Sequence, residues 1–226
     1  MKANLAPSVS LDFLDGYLFR LLQEILADRG AEESGFFDYY SSRIKERIGG
    51  LMEYEERLAR YLLAHFRDRH VVHAGTGIGT LPCALACSGM TVTAIENYRL
   101  RVASARRIRA AVVDTWPDVG PRYDIIEGLY PGAWRREGHE PNSILVFTNV
   151  ASNWNPAQQA AILQSMPAFG VVILDLRLFG RVRDDDTERT GLFDSIAATA
   201  QSAERLPDIA GHLDAHFARF VFSDKV

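Results

Sequence analysis

The spacing of apolar residues changes once along this chain, near residue 70. Before that point apolar positions recur every three or four residues, which predicts helices. The run LDFLDGYLFRLLQEILADRG carries such a stripe and closes on Gly30, a helix-stop signal. SSRIKERIGGLMEYEERLARYLLAHF follows, with a break expected at Gly49-Gly50. In its second half Leu58, Tyr61 and Leu62 make the apolar stripe, and Glu55 and Arg57 are assigned to the polar side. Beyond residue 70 short β-branched runs alternate with helical stretches. The strand-like runs lie at 71–74, 91–96, 123–128, 143–149, 171–178 and 218–224. LPCALACSG, RLRVASARRIRAAV, NPAQQAAILQSM and GLFDSIAATAQSAERL lie among them and read as helices. Strand and helix alternating this often predict βαβ units, hence an α/β fold with a doubly wound, mainly parallel sheet. The organisation expected is an N-terminal helical extension over 1–60 and a sheet domain over 61–226.

Composition adjusts this picture only slightly. The chain has 226 residues, 47% of them hydrophobic and 24% charged, enough for a core without covalent staples. A formal net charge of −4 supplies no global attraction for nucleic acid or anionic membranes, so nucleic acid is not an expected partner. No run approaches the roughly 18 apolar residues of a membrane span, and the opening segment lacks the apolar core of a signal peptide. The expectation is a cytoplasmic protein without membrane contact, with a homodimer left open. Cys83 and Cys87 sit four apart on one expected helix with nothing nearby to complete a zinc site, so they read as small core residues and no metal is expected.

Candidate chemistry concentrates after the first strand, in VVHAGTGIGTLPCALA. Glycine there permits positive φ and lets a ligand approach the backbone without a Cβ in the way. The dinucleotide fingerprint G-x-G-x-x-G fails from either Gly75 or Gly77, because its last position falls on Thr80 or Pro82. The spacing present is G-x-G-x-G. At the end of the next strand, 19 residues after Gly77, stands Glu96, which can accept hydrogen bonds from both hydroxyls of a ribose. The alternatives are a plain structural turn for the glycines and a helix N-terminal acid for Glu96.

These motifs resemble those of class I S-adenosylmethionine-dependent methyltransferases, and the resemblance extends from about Tyr61 to Val226. It implies a Rossmann-like sandwich that binds S-adenosyl-L-methionine and transfers its methyl group, with a small molecule expected as acceptor. It implies that Gly75, Thr76, Gly77 and Gly79 line the methionine and ribose part of the cofactor. Glu96 would hold the ribose and Asn97 would lie beside the adenine, with Gly128 and Leu129 at the third strand's loop. Thr148, Asn149 and Val150 would face the sulfonium side. Where the family usually carries an acid two residues before the first glycine, this chain has His73, read either as a water-mediated contact to the cofactor's amino-acid end or as a satisfied core histidine. That departure leaves aminoalkyl transfer from a related cofactor as an alternative. A non-catalytic scaffold and a nicotinamide oxidoreductase are the other readings.

Outside the cofactor motif the candidates are weaker. Asn149 and His139 are the candidate catalytic groups. Trp154 could stack on a substrate, while Asn155 before Pro156 reads as a helix cap. Tyr40 and Arg43, in FFDYYSSRIKER, are candidate acceptor contacts from an N-terminal segment covering the pocket. The five arginines of RLRVASARRIR read as a solvated helix face. RVRDDDTERTG reads as a charged loop with weak metal-binding capacity.

Overall fold

The computed structural model describes residues 9–27, 34–134, 140–151, 154–176, 186–209 and 216–223. Three helices come first: α1 (Leu11–Ala27), α2 (Ser34–Arg47) and α3 (Glu53–His65). Then β1 (His70–Ala74), α4 (Thr80–Cys87), β2 (Thr91–Glu96), α5 (Arg99–Thr115) and β3 (Tyr123–Glu127) follow. The chain continues through β4 (Glu140–Phe147), α6 (Pro156–Ser165), β5 (Phe169–Asp175), α7 (Asp186–Ala197), β6 (Ser202–Arg205) and β7 (Phe217–Val221).

The seven strands form one sheet in the order β3-β2-β1-β4-β5-β7-β6. The first five run parallel, and β7 pairs antiparallel with both β5 and β6. The strand order reverses between β1 and β4, where the carboxyl ends of two neighbouring strands open a crevice. Central strands are buried on both faces, as their unbroken apolar runs require: every residue of β5 is buried. The edge strand β6 was not among the expected strands. Its sequence, Ser-Ala-Glu-Arg, lacks a β-branched run and is largely exposed, so the pattern continued the α7 helix through it. Main-chain pairing with β7 makes it a strand.

The N-terminal helices pack on one face of this sheet. Leu14, Leu18 and Leu22 of α1 are fully buried and meet α4 and α5. The break at Gly49-Gly50 is present: Gly50 N–H donates to the carbonyl of Asp15, and Leu51 N–H to its carboxylate at 2.8 Å. A Cβ on Gly50 would lie 2.4 Å from Leu18 Cβ, so a small residue is needed where the turn crosses α1. The boundary expected near residue 60 falls inside α3, and α1 to α4 share one apolar core. Cys83 and Cys87 are buried, unbridged thiols within it. Among the described residues no helix is long and apolar enough to cross a membrane. The stretch from Arg181 splits: residues to 185 lie outside the described ones, and α7 begins at Asp186.

Candidate functional site

The glycine turn after β1 is held against the end of β2. Gly75 and Thr76 N–H both donate to the carbonyl of Ile95, at 2.8 and 3.2 Å. Gly75, Gly77 and Gly79 have φ of 71°, 61° and 81°, the left-handed region that side chains rarely adopt. A Cβ on Gly75 would stand 2.5 Å from Val150 Cγ1, so this glycine lets the β1 and β4 loops come together. At Gly79 the approach is internal: a Cβ would stand 2.6 Å from the hydroxyl of Tyr123, which donates to Gly79's own carbonyl. Gly79 thus serves the seating of α4 and is not among the cavity-lining residues.

Two cavities meet at this turn, and Gly75, Arg101 and Val150 line both. The first, about 120 Å³, lies over the ends of β2 and β3. Glu96 forms its polar floor. The side chain is 2% exposed; Oε2 accepts from Gly77 N–H at 2.8 Å, and Oε1 from the N–H groups of Asn97 and Tyr98, both at 3.0 Å. The carboxylate therefore locks the glycine turn to the start of α5 while one edge faces the cavity. The helix N-terminal role considered for this acid is present, and the same side chain lines the cavity. Asn97, Gly128 and Leu129 line the same cavity, with Leu129 half exposed at its mouth. Trp154 lines it as well, packed edge-on against Phe147 with ring centroids 5.2 Å apart. It stands on the Glu96 side of the turn and does not line the cavity walled by α2 and α3. Asn155 is the expected cap, accepting from Gln158 N–H while its own N–H donates to that side chain.

The second cavity, about 450 Å³, opens on the other side of the turn. Its floor is Thr76, Gly77 and the β4 loop Thr148–Val150; its walls come from α2 and α3. Phe36, Tyr39, Tyr40 and Tyr54 make those walls aromatic. Asn149 is held at φ 53° by its N–H bond to the buried Asp175 carboxylate, which also accepts from His216 N–H. His73 lies beneath the floor and lines neither cavity. Its two ring nitrogens meet Thr148 Oγ1 at 2.9 Å and Thr76 Oγ1 at 3.2 Å, and complete burial pushes its pKa down to about 3. It is a neutral, satisfied core histidine that fixes two floor hydroxyls.

The assignment of Glu55 to a polar helix face is corrected by the structure. Its side chain is 4% exposed and turns inward against α2 and α4. Oε2 accepts from Met52 N–H at 2.8 Å and from the Tyr40 hydroxyl at 3.2 Å; Oε1 accepts from the Thr80 hydroxyl at 2.8 Å. Burial pushes its carboxyl up to about 7 against the lowering pull of those bonds and of Arg47. The helical period failed here because a third element, α4, covers the turn of α3 that the pattern leaves polar. Met52 in place of a Ser or Thr cap removes the local motif that would have flagged Glu55.

Of the substrate candidates, Tyr40 is brought into this cavity. Arg43 is not: it pairs with Glu46 on its own helix and lies over Tyr39. The cation at the junction is Arg101, with its guanidinium 3.8 Å from the Phe36 ring centroid and 4.2 Å from that of Tyr98. The five arginines are therefore not one solvated face, since Arg109 also bonds the carbonyls of Tyr123 and Gly120. His139 lies outside the described residues. Among the described residues no cluster of His, Cys, Asp and Glu could hold a metal.

No family model matches the chain, and no curated protein does. Solved structures do. The methyltransferase domain of bacterial CtHen1-C is similar at 14% identity and a TM-score of 0.58, over 76% of this chain and 97% of that one. Magnesium protoporphyrin IX methyltransferase from Synechocystis PCC 6803, solved with bound SAM, matches at 13% identity and 0.58, over 96% and 100%. The bifunctional kinase-methyltransferase WbdD matches at 13% and 0.51, over 89% of this chain and 46% of that one. The fold is therefore the Rossmann-like α/β sandwich of class I methyltransferases.

Proposed function

We propose that the chain binds S-adenosylmethionine and transfers its methyl group to a small-molecule acceptor. The observation that carries this reading is the pairing of two cavities across the glycine turn, one floored by Glu96 and the other walled by aromatic side chains. The first has surfaces that suit a nucleoside: a carboxylate that can accept from ribose hydroxyls, and apolar surfaces from Ile95, Leu129 and Trp154 for a base. No Cβ blocks approach at Gly75 or Gly77. The neighbouring structures in the same fold that were solved with SAM and with SAH support the same ligand.

When bound, the cofactor supplies an electrophilic methyl on a sulfonium. The protein's share is largely placement and exclusion of water. Glu96 orients the ribose, and Asn97 and Leu129 flank the base. Thr76, Thr148 and Asn149 supply polar groups at the cavity junction, with Thr76 and Thr148 fixed from below by His73 and Asn149 by Asp175. Helices α2 and α3 act as a cap over the glycine turn, their inner face formed by α2 and the first turn of α3. A half-open cavity of about 450 Å³ with aromatic walls suits a small acceptor.

The test is calorimetric titration with S-adenosylhomocysteine, with NAD as comparison. Micromolar binding of the first and none of the second is expected. Binding of NAD alone, or of neither ligand, overturns the reading.

A further inference from the structure

We propose that Glu55 accepts the proton of an uncharged aromatic acceptor, a phenol-type hydroxyl, seated in the cavity between the glycine turn and helices α2 and α3. This rests on the reading above and names the acceptor class and its base.

Three groups meet at the α2–α3–α4 junction: the Tyr40 hydroxyl, the Thr80 hydroxyl and the Glu55 carboxyl. All three edges of this triangle are within hydrogen-bond distance, Tyr40 to Thr80 at 2.5 Å included. While Glu55 is ionised the two hydroxyls hold only two hydrogens, so one edge sets two oxygens together with no proton between them. A single added proton closes the ring. Glu55 Oε2 then donates to Tyr40, Tyr40 to Thr80, and Thr80 back to Oε1, with Met52 N–H still bonded to Oε2. The cluster is thus built to take up one proton, and Glu55 and Tyr40 both reach the cavity wall.

Among the described residues no cation neutralises the carboxylate by direct contact. Arg47 on α2 pairs with Glu56, the next residue of α3, and acts on Glu55 only through space. The other side chains acting on Glu55 are Tyr40 on α2 and Thr80 on α4, while Tyr54 on α3 acts on Tyr40. Burial and the Glu55 charge hold Tyr40 well above the usual phenol range, so it stays a hydroxyl. Glu55, raised to about 7, has the basicity of a neutral-pH general base.

The same arrangement selects the acceptor. An anionic nucleophile needs no base and meets a carboxylate. An ammonium group would hold Glu55 ionised and keep its own proton. An uncharged hydroxyl gains from the base, and an aromatic ring behind it finds Phe36, Tyr39 and Tyr54 as walls. In the step, the acceptor O–H bond breaks, its electron pair stays on oxygen, and the proton joins Glu55 Oε2. Arg101 lies at the junction, where its charge favours the oxygen becoming negative.

The experiment uses para-nitrophenol, whose phenolate absorbs visible light and whose phenol does not. It is titrated into wild type, Glu55→Gln, Tyr40→Phe and, as control, Glu56→Gln, each saturated with S-adenosylhomocysteine and checked for folding by its thermal midpoint. Wild type and Glu56→Gln are expected to bind the probe with a phenolate fraction above that of free probe at the same pH. Glu55→Gln should bind it as phenol, the bound phenolate falling at least tenfold. Tyr40→Phe opens the ring but keeps the carboxylate, and should lower the bound phenolate by less than Glu55→Gln does. Equal loss in Glu55→Gln and Tyr40→Phe, unchanged phenolate in Glu55→Gln, or no uptake by wild type each overturns the proposal. If S-adenosylhomocysteine itself fails to bind, the methyltransferase reading falls first; if it binds normally and only the phenolate result fails, the acceptor assignment alone is lost.

Discussion

The two sides of the glycine turn are built by different means. On the nucleoside side, the groups sit at strand ends or in the loops just after them, and Glu96 is held by three backbone N–H groups of its own and adjoining loops. On the acceptor side, Glu55 is held by one backbone group and two side chains on other helices. The first arrangement follows from the sheet, because parallel strands in register place Gly75 and Glu96 together. The second exists only once α2 and α3 have docked on α4. A parallel sheet dictates one half of the site, and an added layer of helices creates the other.

The largest blow to this division is expected at the hinge between the halves. Gly75→Val places a β-branched residue at φ 71°, worth about 1–3 kcal/mol of strain. Its Cβ also meets Val150 2.5 Å away, and such overpacking costs about 1–3 kcal/mol more. Since Gly75 lines both cavities, S-adenosylhomocysteine and para-nitrophenol binding should be lost together, with a lower midpoint in thermal denaturation. Loss of one ligand alone would show that the two halves are independent.

The acceptor side should next show itself in the pH dependence of stability. Glu55 is raised from 4.5 to about 7, so between these values the folded protein binds more protons than the unfolded chain, and stability falls as pH rises. His73 is lowered from 6.5 to about 3, so the folded protein binds fewer protons there and stability rises with pH. Over pH 4.5–6.5 the two slopes oppose each other and nearly cancel. Glu55→Gln removes one of them. Urea titrations should then show the variant gaining on wild type by about 3 kcal/mol between pH 4.5 and 7, since each pKa unit is about 1.36 kcal/mol. A constant difference across that range would mean that Glu55 stays ionised in the folded state.

The same contrast explains what the sequence disclosed. The sheet was legible because buried parallel strands are continuous apolar runs, and Glu96 because strand and helix lengths fix its distance from the glycines. The Asn155 cap was legible because capping is local. Glu55 was not, since the helical period of α3 reports a single buried face and α4 adds another. Arg101 was hidden among similar arginines, because which of them reaches Phe36 depends on where α2 lies. Asp175 ends an apolar strand, and only the crossing of the β4 and β7 approaches shows what it holds. His73 was left between two roles that period and spacing treat alike; Thr76 and Thr148 on its ring nitrogens decide for the core role.

On the nucleoside side, Glu96→Ala should weaken S-adenosylhomocysteine binding by about 1–3 kcal/mol, roughly five- to 150-fold in Kd. Three N–H donors lose their acceptor as well, so part of this loss reflects a looser glycine turn. The comparison is sharpened by adenosine, which has the ribose and base without the amino-acid end. If Glu96 acts on the ribose, adenosine binding should fall by the same factor. An unchanged Kd for both ligands would leave Glu96 as a loop anchor only.

The smallest effect is expected at Arg101, which belongs to both halves. Its guanidinium lies against Phe36 of α2 and Tyr98 at the start of α5, so it links the added helices to the strand-end loops. A cation–π contact at a partly exposed site contributes about 0.5–1 kcal/mol. Arg101→Ala should therefore weaken para-nitrophenol binding severalfold, more strongly above pH 7, where the probe is a phenolate. Arg101→Lys keeps the charge without the planar contact to the rings. If lysine restores binding, the charge at the cavity junction matters; if only arginine does, its stacking between the two rings is what joins the halves.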